Sequence, residues 1–269
     1  MPSVLQLALV SFGLLHTTIA RPASSWYQAS VGIPWQVVLE SDIGDLNLPV
    51  DVYDIDLFTT PQSTIDQLHS NGKQVLCYFS AGTYEPNRPD SAELLADSAD
   101  LGNTLSGWPD ERWLNIRSDK IVSIMKARID TAVSKKCDGL DPDNVDGYSN
   151  DNAGGFTPGL SQSDSVAFLQ TLSTYAHSVG LGIGLKNAGD IVQDTSSFLD
   201  WVVNEQCVQY GECATFRPFI NAGKPVFHIE YKNQSPNITD DCHGANTASF
   251  STVIKPDESS IPKDLIPCT

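Results

Sequence analysis

The densest group of reactive side chains lies in "GLDPDNVDGY", residues 139–148, where Asp141, Asp143 and Asp146 fall within six positions behind an apolar entry. Carboxylates that close shift one another's proton affinity, so that one keeps its proton while its neighbour ionises. Glycoside hydrolysis needs that split: a proton donor for the leaving oxygen and an anion facing the anomeric carbon. Strand alternation places Asp141 and Asp143 on one face, with Asp143 nearer the carboxyl end, and leaves Asp146 in the turn beside Gly147. Two of the three also have structural readings. Asp141 suits an interior ion pair with Lys186, and Asp146 suits a turn bonded to its own backbone. Glu205 and Glu230, from later strands, are the acidic side chains that could oppose Asp143, with Glu230 in reserve. A calcium loop fails on register, because Val145 stands at its fifth position and Asn152 where the closing glutamate belongs. No Gly-x-Ser-x-Gly elbow supports a serine hydrolase.

Other polar residues gather where strands end: Asp56; Tyr78, Ser80 and the following Glu85; Lys186–Asn187; Asn204–Glu205; Glu230–Tyr231. Tyr148 and Tyr231 are rim aromatics suited to stacking on a sugar, and Trp108 is a loop candidate for the same task. His69 and His177 read as helix residues and His228 as a core histidine, so no histidine is assigned as a metal ligand.

What must position these groups is a repeated unit of helix, glycine and short apolar strand. "TPQSTIDQLHSNG" predicts a helix capped by Thr60 and stopped at Gly72. "DKIVSIMKARIDTAVSKK" sets Ile121, Ile124, Met125, Ile129, Ala132 and Val133 on one face. "SQSDSVAFLQTLSTYAHSVG" opens with Ser161 and Asp164 at capping-box spacing. Strands are predicted in "WQVVL", "DVYDIDL", "KQVLCYFSAG", "RWLNI", "LDPDNVD", "LGIGLKN", "FLDWVVNEQ" and "KPVFHIEY". About eight such strands in this length predict an α/β fold, a single (β/α)8 barrel, whose carboxyl-end rim gathers all the groups above. After Tyr231 the chain turns Asn/Ser/Pro/Asp-rich and reads as a disulfide-tied tail.

Residues 1–20 read as a secretory signal peptide, leaving 21–269 as one barrel domain with that tail. Six cysteines in a secreted setting suggest three bridges: Cys77–Cys137, Cys207–Cys213 and Cys242–Cys268. No close Cys/His spacing favours zinc instead. Asn233 and Asn237 begin glycosylation sequons. A net charge of −17 disfavours nucleic acid and anionic membranes, and suits solubility or a cationic partner.

The blocks "YDIDLF", "VLCYFSAGTYEPNRPD", "GWPDERWLNIRS", "CDGLDPDNVDGY", "AHSVGLGIGLKN", "VNEQC" and "KPVFHIEY" together resemble glycoside hydrolase family 114, the fungal-type endo-α-1,4-polygalactosaminidases. The resemblance implies a (β/α)8 barrel without cofactor that cuts inside cationic, galactosamine-containing polysaccharide, with Asp143 and Glu205 as the two catalytic carboxylates. It carries Asp56, Tyr78, Glu85, Arg88, Asp146, Lys186, Asn187, Glu230 and Tyr231 over to the substrate cleft. Asp141 stands where the motif usually has glutamate, which leaves its own role open. A secreted monomer is expected. The competing readings are a non-catalytic polysaccharide-binding barrel and a metal-dependent polysaccharide deacetylase, the second of which would need rim histidines.

Overall fold

Strands buried on both faces read as near-continuous apolar runs, the mark of a parallel sheet covered by helices. In a computed structural model, which describes residues 25–40, 42–234, 242–257, 261 and 263–266, such runs form eight parallel strands. They are β1 (Trp35–Val38), β2 (Val52–Asp56), β3 (Gln74–Ser80), β7 (Gly139–Asp143), β8 (Gly182–Lys186), β9 (Trp201–Glu205), β10 (Val226–Tyr231) and β11 (Ser251–Lys255), paired in that order. Three short antiparallel strands form a separate sheet above them: β4 (Thr83–Tyr84), β5 (Leu101–Leu105) and β6 (Trp108–Leu114). Helices α1 (Gln62–Ser70), α2 (Ser91–Leu94), α3 (Asp119–Ser134), α4 (Gln162–Ser178), α5 (Val192–Thr195), α6 (Cys207–Tyr210) and α7 (Arg217–Asn221) fill the crossovers. The chain is a nearly closed (β/α)8 barrel, but its eighth strand differs from expectation. "RWLNI" lies largely in β6 of the small sheet, while "STVIK", inside the supposed tail, pairs beside β10. The expected signal segment, Asn237 and Cys268 lie outside the described residues.

Alternation divides the core in two. Trp35, Val37, Val52, Leu76, Trp201, Val203, Phe227, Ile229, Tyr231 and Val253 pack inside the barrel, while the opposite faces of the same strands pack against the helices. Trp201 is the largest interior filler, and three glycines make room for it. A Cβ on Gly139, Gly182 or Gly184 would approach its ring to 2.3, 2.6 or 2.3 Å. Between β1 and β11, side chains and the C-terminal residues close the wall. Trp35 Nε1 donates to Ser251 O (2.6 Å) and Lys255 Nζ to Gln36 Oε1 (2.7 Å). Gln36 Nε2 donates to Lys263 O (2.9 Å), and Ile266 N reaches Ile254 O (3.0 Å).

Two helix-end histidines repeat one device at the amino ends of the strands. His69 Nε2 meets Asp138 Oδ2 (2.9 Å), which accepts from Val75 N; His177 Nε2 meets Asp200 Oδ2 (2.8 Å), which accepts from Ile183 N. Trp26 and Gln28 also donate to Asp200, so the N-terminal segment is tied to the barrel floor. Burial works against the Asp200 anion, but these donors outweigh it and hold the carboxyl below its ordinary value.

Helix expectations held with two exceptions. The capping box of Ser161 and Asp164 forms on α4. Thr60 makes no side-chain cap on α1, whose N-cap is Pro61; its hydroxyl is buried instead. Val133 is exposed, and its place in the buried face of α3 goes to Arg128. Cys77–Cys137 and Cys207–Cys213 are bridged as expected. The first closes a span of 60 residues, which in a chain-entropy account stabilises by about 4 kcal/mol.

Gly184→Ala should lower stability by about 1–3 kcal/mol through overpacking against the Trp201 indole. Urea unfolding at neutral pH measures it, and an unchanged midpoint would mean that the indole is not seated there.

Candidate active site

Parallel register brings three consecutive strands of the barrel to the rim with one functional side chain each: Asp143 from β7, Lys186 from β8 and Glu205 from β9. Lys186 is buried, and its Nζ lies 3.1 Å from Asp143 Oδ2 and 3.0 Å from Glu205 Oε2. Each carboxylate also has a tyrosine. Tyr78 OH donates to Asp143 Oδ2 at 3.0 Å, and Tyr231 OH donates to Glu205 Oε1. The backbone N–H of Asn144 donates to Asp143 Oδ1 (2.7 Å). Asn187 Nδ2 donates to Glu205 Oε2 (3.3 Å), while its Oδ1 accepts from Glu205 N (2.8 Å) and Asn204 Nδ2 (3.3 Å).

Burial alone would drive the proton off Lys186, but the charges of Asp143 and Glu205 outweigh it and hold the ammonium well above the lysine range. Burial likewise works against the Glu205 anion. The Lys186 charge, with hydrogen bonds from Tyr231, Lys186 and Asn187, keeps that carboxyl below its ordinary value. Tyr78 is pushed well up, first by burial and then by the Asp143 charge, and stays a donor.

The loop after β3 forms one side of the rim. Arg88 bridges Asp56 Oδ2 (2.7 Å) and Glu85 Oε1 (2.6 Å). Arg128, reaching up from α3, grips Asp90 with two bonds of 2.7 Å and donates to Ser80 O at 2.6 Å. The ring of Phe58 lies 5.1 Å from each guanidinium carbon. Asp56 also accepts from Phe58 N and Thr59 N, so its carboxylate shapes the turn and orients Arg88. Asp151 ties the loop after β7 to the small sheet, accepting from Trp113 Nε1 (2.7 Å) and Ser106 N (3.0 Å). A cleft of about 330 Å³ opens beside Arg88 and Glu85, lined also by Thr59, the exposed Trp108 and Glu111. A larger depression of about 820 Å³ on α4 and α5, lined by Gln162, Val166, Gln170 and Asp194, lies away from the lysine–carboxylate group.

Two expected cleft residues lie elsewhere. Glu230 faces the outside of the barrel wall, because Ile229 and Tyr231 take the interior positions. It is fully buried, with Oε1 held by His228 Nε2 (2.9 Å) and Val208 N (2.7 Å) under the Cys207–Cys213 loop. That excludes it as Asp143's partner. Asp141 shares Asp143's face as expected, but it is buried in a deeper layer against Asp54, where the Lys186 charge still acts on it. Asp146 is half-buried; desolvation, then the Asp143 charge, pushes its carboxyl up to about 6. Tyr148 is half-buried against the outer core.

Sequence reasoning passed over Asp54, Glu111 and Arg128. Asp54 sits two positions before Asp56 in "YDID", on the same strand face, and that spacing was its signal. Glu111 lies in "GWPDERW" and accepts from Thr83 Oγ1 at 2.8 Å. Burial, with the nearby Glu85 and Asp143 charges, outweighs that bond and pushes Glu111 up to about 7. Arg128 shows no sequence signal, because charge at its position predicts exposure. Among the described residues, one His/Cys/Asp/Glu grouping is dense enough for a metal: Cys207, Cys213 and His228, whose two sulfurs form the disulfide. His69 and His177 lie at the barrel floor and His228 outside its wall, so none of these three supplies the rim ligand that a deacetylase would need.

The family model for glycoside-hydrolase family GH114 matches residues 16–263. Among solved structures, Aspergillus fumigatus Ega3 in complex with galactosamine is 44% identical, with a TM-score of 0.82, over 91% of this chain and 98% of that one. The glycoside hydrolase domain of PelA from Pseudomonas aeruginosa shares the fold at 10% identity and a TM-score of 0.61, over 88% of this chain and 98% of its own. Arthrobacter globiformis isomalto-dextranase, complexed with panose, does so at 8% and 0.56, over 88% of this chain and 54% of its own. No curated protein sequence gives a match.

Lys186→Met would leave two carboxylates without their shared cation. A buried charge stripped of its partner costs roughly 3–5 kcal/mol, which is the loss expected at pH 7. Because the folded value of Glu205 is depressed, its stabilising contribution is present above the unfolded pKa and fades as pH falls through the folded one. The gap between variant and parent should therefore begin to shrink only below about pH 4 and be smaller at about pH 3. Denaturant titrations at pH 7 and about pH 3 test this, and a constant gap would contradict the ion pairs.

Proposed function

The chain belongs to glycoside-hydrolase family GH114, and from that membership we propose that it cuts internal α-1,4-galactosaminidic bonds in galactosamine-rich polysaccharide, with Asp143 and Glu205 as its catalytic pair. The observation that carries the assignment of the pair is Lys186, one buried ammonium seated between two rim carboxylates. The likeness to Ega3 supports a galactosamine-containing substrate. Net charge supports it too: a chain at −17 attracts a polymer whose deacetylated units carry ammonium groups.

One oxygen of each carboxylate lies within 3.1 Å of the same nitrogen, so those two oxygens are at most about 6 Å apart. We read so close a pair as a retaining one, for which carboxyls stand roughly 5–5.5 Å apart. In the first step one carboxylate attacks the anomeric carbon while the other, having first taken up a proton from solvent, gives that proton to the departing oxygen. In the second, the deprotonated partner takes a proton from water as that water displaces the enzyme from the sugar, and net retention results. Tyr78 and Tyr231 hold the two carboxyls in place, and Asn187 fixes the rotamer of Glu205. Trp108, Glu85 and Glu111 supply a stacking surface and anions along the cleft.

The same reading makes the protein a secreted monomer. Asn233 is exposed, as a glycosylation site requires. Among the described residues no helix is long and apolar enough to cross a membrane.

Incubation with partially deacetylated α-1,4-galactosaminan should give a ladder of short oligomers by mass spectrometry. Proton NMR of the first products should show the α anomer, and Asp143→Asn and Glu205→Gln should each lose at least about a thousandfold in kcat/KM, the scale of removing a transition-state partner. Binding without cleavage would support a binding barrel, released acetate at constant chain length a deacetylase, and full activity in both variants would overturn the pair.

A further inference from the structure

The barrel holds two more carboxyls below the catalytic pair, and the reaction as drawn does not use them. Asp54 of β2 and Asp141 of β7 are 0% and 1% exposed. They project into the interior from either flank of β3, one layer beneath Asp56 and Asp143. The two lie within hydrogen-bond reach of each other. Both oxygens of Asp54 and Oδ1 of Asp141 receive no hydrogen bond from any other described residue. An ionised carboxylate only accepts hydrogen bonds, and two anions in contact in a dry interior are prohibitively repelled. Their contact therefore requires a proton between them.

The charged groups that face the pair are Lys186 from β8 and Asp143 from β7. Lys186 in turn faces Tyr78 of β3 and Glu205 of β9. Lys186 donates to Asp143 and Glu205 at the rim, and its charge also acts on Asp54 and Asp141 one layer below them. We propose that Asp54 and Asp141 share one proton and act as a single fixed negative charge, which positions the Lys186 ammonium between Asp143 and Glu205 and sets the pH window in which that catalytic pair works. Burial pushes Asp54 up to about 7 and, with the Asp54 charge next, pushes Asp141 well above the carboxylate range, in keeping with a proton retained at neutral pH.

The proposal fixes the pattern of variants. Asp54→Asn or Asp141→Asn swaps the shared proton for an amide donor and leaves one negative charge, so either single variant should keep the parent's pH profile. The double variant removes the charge. A lost neighbouring anion lowers the proton affinity of every remaining acid, so both limbs of the kcat/KM profile should move to lower pH by about one unit. A purely structural pair would lower activity or stability without moving the limbs.

The experiment has two readouts, and thermal unfolding of each variant checks its fold. Infrared difference spectra at pH 7 need no substrate. Parent minus single variant should leave one protonated-carboxyl component, the same for both variants, while the bands of other protonated carboxyls such as Glu111 cancel. The kcat/KM profiles on galactosaminan should show unmoved single variants and a displaced double. Persistence of the infrared component in both single variants would overturn the shared proton, as would a shift in the singles equal to that of the double. The pH-window role rests on the galactosaminidase reading. If the parent cleaves no galactosaminan, that reading and the role fall together, while the infrared result still decides the shared proton.

Discussion

Two carboxylates can stand ionised at the mouth of a barrel only if something supplies the field that water would otherwise provide. Here it is the Lys186 ammonium, and much of the architecture follows from keeping it charged where it is buried. Stripped of water, a lysine loses its proton unless anions surround it. Asp143 and Glu205 are those anions, and each depends on Lys186 as much as it depends on them. The arrangement needs three adjacent parallel strands whose interior-facing residues reach the rim together, which the pairing of β7 with β8 and β8 with β9 supplies. It also needs a floor that will not give way. Trp201 fills that floor, and Gly139, Gly182 and Gly184 lie on the same two strands that carry Asp143 and Lys186. A side chain at any of the three would displace the indole and, with it, the register on which the charge cluster depends.

Most of this was legible in the sequence where one strand's own pattern decided the outcome. The Asp141–Asp143 alternation, the Lys186–Asn187 strand end and the Asn204–Glu205 strand end all placed polar residues at carboxyl ends, and a barrel brings those ends together. Where two strands or faces compete, pattern alone fails. "RWLNI" and "STVIK" are both short, with apolar residues among polar ones, and what separates them is the partner each finds. The first folds back on β5 as an antiparallel neighbour, and the second adds in parallel beside β10. Glu230 was misplaced for a related reason. It ends a strand as Glu205 does, but it stands one residue short of the interior position that Tyr231 takes. Arg128 reverses the usual rule that charge marks an exposed helix face, because Asp90 and a backbone carbonyl satisfy it under the rim loop.

The strand ends carry a further regularity that ties backbone to chemistry. The residue after Asp143, the residue after Lys186 and the residue after Glu205 all adopt the left-handed conformation: Asn144, Asn187 and Gln206 at φ of 59°, 49° and 66°. For a residue with a side chain that conformation costs on the order of 1–2 kcal/mol, and glycine would remove the cost. Glycine would also remove the side-chain bonds. Asn144 Nδ2 donates to Ser80 Oγ at 2.9 Å, Asn187 clamps both the backbone and the carboxylate of Glu205, and Gln206 Nε2 bonds Gln209 and Gln234. The chain turns sharply just past each functional residue, and at Asn187 the side-chain amide also holds the Glu205 carboxylate beside it. The strain and the polar side chain thus serve one end, a cleft floor in which three charges hold fixed positions before any sugar arrives.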